Sequence, residues 1–283
     1  SQINFNGNTL TLQCKQLNKI VGSETFNGSL FLLPKDCRLT EFTLEGISNI
    51  QGDFQCIDYF YVKEFVMPFI RVAGDMTIAL NSGSVNTAAE IEFPKLQEIG
   101  GTLTLGTNRN ANNITFPLLK KILGSCSVTT YKLKNDIEFT NLESIGTDGA
   151  DAQIKFEIEA TNILCPKLKT INGKFDIATS SFMFDMEVDK VSYPNVESIS
   201  ENLSITCPYS GFGSNGILSI DFSGLKSAKG ISISGQGDVT DFSSFKYLFE
   251  NNVLTGESQW SVKECGYNPT FQEMKDGKYK LAE

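Results

Sequence analysis

The stretch Phe93-Pro-Lys-Leu96-Gln-Glu-Ile99-Gly-Gly101-Thr-Leu103-Thr-Leu105 holds the key to the chain. It sets out an aromatic residue, a proline, two apolar residues at steps of three, a glycine, and then two leucines alternating with threonine. Phe116, Pro117, Leu119, Ile122, Gly124, Cys126 and Val128 repeat it, as do Cys165, Pro166, Leu168, Ile171, Gly173, Phe175 and Ile177. Tyr193, Pro194, Val196, Ile199, Leu203 and Ile205 follow, with Glu201 in the glycine place. Upstream, Leu44, Ile47, Ile50, Gly52, Phe54 and Cys56 fit, and so do Val66, Phe69, Val72, Gly74, Met76 and Ile78 with the proline displaced by one.

Two copies are irregular. Phe139, Leu142 and Ile145 resume at Ile154, Phe156 and Ile158 after an insertion, and Phe222, Leu225, Ala228 and Gly230 lead into Ile231 and Ile233. Cys14, Leu17, Ile20 and Gly22 read as a degenerate first coil. Counted from their first positions, these copies recur every 22 to 30 residues, the period of a solenoid.

Period-2 alternation after the glycine makes that part a short strand, with Leu103 and Leu105 inward and the threonines outward. The preceding steps of three suit a bent segment that returns its apolar side to the same interior. Glycine before each strand fits a corner that needs φ > 0 or has no room for Cβ. One such coil cannot bury its own apolar face, so coils stack and pair their strands in parallel. The expectation is an all-β, parallel β-solenoid of about nine coils over residues 1–240, closed by a C-terminal cap over 241–283. Phe245, Leu248 and Phe249 at helical spacing place a short helix in that cap, and Trp260, the one tryptophan, helps to close the open end. A helical leucine-rich horseshoe is the structural competitor, but its Asn/Cys ladder position is missing.

The pattern carried by Leu96 to Leu105, Leu119 to Val128 and Leu168 to Ile177 resembles the receptor L-domain repeat. That resemblance covers roughly residues 14–235 and implies a right-handed β-helix. It implies no particular ligand, because the family's motif residues are core residues. Paired cysteines at coil ends and a furin-like cysteine-rich segment are absent, which sets the chain apart from the animal growth factor receptors. The tail from Trp260 to Tyr279 is similar to endings of surface lipoproteins of Bacteroides-like bacteria, which implies an exported protein at the cell surface or in the periplasm.

Composition narrows the function classes. The net charge is −9, with 24 basic and 33 acidic residues, no basic run and only Arg38, Arg71 and Arg109 as arginines, which argues against nucleic acid. The chain has no histidine, which removes Ser-His-Asp and Cys-His catalysis and, with no C-x-x-C pair, makes a structural zinc site unexpected. No cofactor is implied. No apolar run reaches the roughly 20 residues of a membrane helix.

Of seven cysteines, Cys56, Cys126 and Cys165 stand at core template positions and Cys207 extends the inward register of Leu203 and Ile205, so they read as small buried hydrophobes. Cys37 and Cys265 fall outside strands, where a bridge cannot be inferred. Parallel β-helices also serve as polysaccharide lyases and hydrolases, so carboxylates aligned on a strand face matter. Asp176 and Glu157 are candidates on nearby coils, and they read as single solvated carboxylates. Asp148, Asp151 and Asp238 read as turn residues.

Function is therefore sought in the insertions at 146–153, 179–190 and 207–216, because loops on a rigid scaffold can vary freely. Phe182 and Phe184 in the second and Tyr209 and Phe212 in the third are the ligand-binding candidates, able to stack on sugar rings or anchor a protein. The resulting expectation is a non-catalytic cell-surface binding or structural module with a glycan or protein partner. The alternative is a carbohydrate-active β-helix enzyme.

Overall fold

The computed structural model describes residues 2–6, 9–13, 19–32, 41–57, 64–80, 89–107, 111–130, 136–149, 151–158, 162–179, 190–206, 217, 219–235 and 238–282. The chain divides into two compact units, Ser1–Leu142 with Thr161–Leu164, and Glu143–Ala160 with Cys165–Glu283. Each is a parallel β-solenoid, as the repeat implies. Together they make about seven turns, against the nine expected.

In the first unit each turn contributes up to three strands. The strand after the corner glycine joins a first sheet, in which Phe54–Ile57, Met76–Leu80, Leu103–Thr107 and Cys126–Thr130 pair in parallel. The two-residue strand before the glycine joins a second sheet, with Asn49–Ile50, Arg71–Val72, Glu98–Ile99 and Lys121–Ile122 in order. A third sheet pairs the segments just before the template aromatic, among them Glu41–Glu45, Glu64–Val66, Ala89–Glu92 and Ala111–Thr115. This third strand was not foreseen from the sequence. A hairpin of Gln2–Asn6 and Thr9–Gln13, antiparallel to each other, adds to the first sheet through Ser29–Leu32.

The steps of three are β-turns. The N–H of Leu96 donates to Phe93 O, Leu119 to Phe116 O and Leu142 to Phe139 O, at 3.3 to 3.4 Å. Proline at the second place, Pro94 and Pro117, has the φ that such a turn requires. Behind these turns the rings of Phe93, Phe116 and Phe139 stack with centroids 5.0 Å apart and planes within 2° and 12°, all fully buried. The spacing of about 4.8 Å expected between paired strands is close to the separation that offset-stacked rings prefer.

Two registers differ from those read in the sequence. Met67, not Val66, takes the first template position: its N–H donates to Glu92 O, it is fully buried, and Val66 is only half-buried. Pro68 is thus in its regular place and the turn is one residue short. Ile20 pairs with Leu44, so the first turn begins at Ile20 rather than at Cys14, which lies outside the described residues. The weak alternation of this degenerate segment allowed either register.

The corner glycines answer to crowding. The N–H of Gly52 donates to Gly28 O, Gly74 to Gly52, Gly101 to Gly74 and Gly124 to Gly101, at 2.9 to 3.0 Å. A Cβ on Gly74 would lie 2.8 Å from the Gly52 carbonyl, and one on Gly124 2.6 Å from Gly101 C. None of these four donors has positive φ, so the second of the two expected reasons applies. Beside them Asp53 and Asp75 accept through Oδ1 from the N–H of Asp75 and Thr102, at 2.8 and 2.7 Å, tying each turn to the next.

The second unit repeats the plan with longer strands. Ala152–Ile158 and Gly173–Thr179 pair over seven residues, with Ala152, Ile154, Phe156 and Ile158 inward, and Asn202–Thr206, Gly230–Ser234 and Trp260–Lys263 continue the same sheet. Ser144–Ile145, Thr170–Ile171 and Ser198–Ile199 form its second sheet. The turn beginning at Phe222 keeps only a bridge from Ser198 to Ser227 there. Residues 241–282, expected as a cap, begin with a 3-10 turn at Ser243–Phe245 and the expected short helix at Lys246–Glu250. A second helix, Phe271–Lys275, is capped by Thr270 and Glu273. Trp260 is buried against Phe242, Phe245 and Phe249, and its Nε1 donates to Pro269 O at 2.8 Å.

Candidate functional site

The solenoid turns corners, and the corner between the first-sheet strand and the next third-sheet strand is where the chain lengthens. In the second unit, Gly173–Thr179 and Asn202–Thr206 lie side by side, with Ala178 opposite Thr206. The chain then returns at Lys190–Ser192 and Ser219–Asp221, which also pair, Lys190 opposite Ser219. The strands that precede residues 180–189 and 207–216 in the chain are therefore neighbours, and so are the strands that follow them, about 4.8 Å apart in each case. Phe182, Phe184, Tyr209 and Phe212 belong to these segments and lie outside the described residues. What the fold supplies is the neighbouring placement of their anchor points. The signal for it in the sequence is that both insertions follow the same template position.

Next to these anchor points, the outward face of the same sheet carries charge. Lys155 and Glu157 share one strand, and Lys174 and Asp176 share the next, with Lys155 opposite Asp176. Lys155 Nζ lies 2.5 Å from Glu157 Oε1, and Lys174 Nζ lies 2.9 Å from Asp176 Oδ2. All four side chains are 31 to 52% exposed, so their charges are screened and each pair is worth about 0–1 kcal/mol. Glu157 and Asp176 do fall on neighbouring strands, but each has a lysine of its own strand beside it. Beyond them the face continues in short hydroxyls: Ser204, Ser232 and Ser261 form one row and Thr206 and Ser234 another.

Three further lysine–carboxylate pairs join neighbouring turns of this unit: Lys190 with Asp221, Lys226 with Glu197, and Lys229 with Glu201. Partial burial raises the Asp221 carboxyl. Hydrogen bonds from the Ser223 hydroxyl and N–H, together with nearby Lys190, outweigh this and hold it below the ordinary range. The Lys226 ammonium, through its hydrogen bond and its charge, does the same for Glu197. In the first unit, Arg71 Nε donates to Glu98 Oε1 at 2.8 Å across the second sheet.

The third sheet of the first unit holds a feature absent from the sequence expectations. Glu41, Glu64 and Glu90 occupy one register position on adjacent strands. Its sequence signal is a glutamate three places before the template's first residue, visible only once Met67 is in register.

Among the described cysteines, Cys56 and Cys126 are buried free thiols, and Cys165 and Cys265 are buried as well. Burial pushes the Cys126 thiol up to about 12 and the Cys56 thiol well above its ordinary value, so neither is a thiolate at neutral pH. Cys14, Cys37 and Cys207 lie outside the described residues. Asp148 sits in a turn beside Gly149, whose φ is +78°. No group of three or more His, Cys, Asp or Glu side chains that could hold a metal ion is found among the described residues. No described helix is long and apolar enough to cross a membrane. No protein-family model, curated protein or solved structure matches the chain.

Proposed function

We propose that the chain is a non-catalytic binding module of the receptor L-domain type, presented at the cell surface or in the periplasm, and that it engages a glycan or a protein through residues 180–189 and 207–216. The observation that carries this reading is the pairing of the strands that bear those segments at both their departure and their return. Two insertions, one carrying Phe182 and Phe184 and the other Tyr209 and Phe212 among glycine and serine, follow neighbouring strands of one sheet, which favours one combined surface over two separate ones. Phe182, Phe184, Tyr209 and Phe212 are its contact residues. Aromatic side chains give large contact area at low entropic cost, on a sugar ring or in a protein pocket alike.

The test is a glycan-array screen of the purified chain, in parallel with capture from extracts of surface proteins. Specific binding in either arm that falls at least tenfold in both Phe182→Ala and Tyr209→Ala supports the proposal, and the arm that responds names the partner class. Binding that survives both substitutions, or no binding in either arm, contradicts it. Carbohydrate-active enzyme chemistry is tested separately: polysaccharide depolymerisation lost in Glu157→Gln or Asp176→Asn would replace the binding reading with a catalytic one.

A further inference from the structure

We draw no further inference here: the strongest candidate, the row of Glu41, Glu64 and Glu90 that the third sheet of the first unit brings into one register on adjacent strands, is a set of acidic positions aligned by backbone register alone, with no second observation among the described residues that points to a ligand.

Discussion

Substituting Gly101 by alanine tests the turn-on-turn packing at one of its crowded corners. A Cβ there would lie 2.8 Å from the carbonyl carbon of Gly74, 2.9 Å from the backbone nitrogen of Asp75 and 2.2 Å from Asp75 Oδ1. The carboxylate can swing away, although it then gives up the 2.7 Å hydrogen bond from Thr102 N–H. The backbone atoms can only separate. That stretches the bond from Gly101 N–H to Gly74 O, at 2.9 Å, and the one from Gly124 N–H to Gly101 O, at 3.0 Å. Overpacking costs about 1–3 kcal/mol and a weakened backbone hydrogen bond about 0.5–1.5 kcal/mol, so Gly101→Ala should destabilise by about 2–4 kcal/mol. Gly106 is the control: it lies in the outgoing strand with nothing within 4 Å of its Cβ position and without positive φ. Gly106→Ala should stabilise by about 0.4–1 kcal/mol through the unfolded chain. Urea unfolding followed by far-UV circular dichroism reads both. Equal midpoints for the two variants would refute the crowding argument.

Phe116→Ala removes the middle ring of the Phe93–Phe116–Phe139 stack and should cost about 3–5 kcal/mol, with Phe116→Leu losing less; a loss below about 1 kcal/mol in the same urea experiment would mean that the stack is not packed as described. Cys56 and Cys126 should resist alkylation at pH 8 in the folded chain and react on unfolding, as followed by peptide mass spectrometry, whereas modification without denaturant would place them at the surface. The Glu273 carboxyl is held below the ordinary range by the N–H of Thr270 and then by its hydroxyl. Because the folded value is the depressed one, the stabilisation is present above the unfolded value of about 4.3 and is lost as pH falls through the folded value. Thr270→Ala should move the Glu273 titration part of the way back up by NMR, and an unmoved midpoint would count against the capping box at Phe271–Lys275.

The fold was legible because its information is local and repeated. Proline after the aromatic, apolar residues at steps of three and glycine before an alternating pair specify a turn, a corner and a strand in each copy. Errors arose where one copy is weak. Val66 and Met67 are both apolar, and only the bond from Met67 N–H to Glu92 O selects the inward one. At the N-terminal end, Cys14 and Ile20 offer two registers, and pairing of Ile20 with Leu44 selects the second. The third-sheet strand was missed because Ala89–Glu92 and its counterparts are short and run directly into the template aromatic. Of the candidate site, the aromatic residues were visible in the sequence and the adjacency of the strands that flank them was not, because it depends on pairing between segments far apart in the chain.

That adjacency supports the functional proposal and can be measured directly. Asp176 and Ser204 are register partners on the outward face, at the distance of neighbouring strands, within the 4.4–6.8 Å between Cα atoms that a disulfide spans. Asp176 and Ser232 are two strands apart, at about 9.6 Å, beyond that reach. In a Cys207→Ser background, Asp176→Cys with Ser204→Cys should form a bridge on mild oxidation, detected by mass spectrometry of the linked peptides, while Asp176→Cys with Ser232→Cys should not. Equal bridging in both pairs, or none in the first, would contradict the register that makes neighbours of the strands preceding residues 180–189 and 207–216.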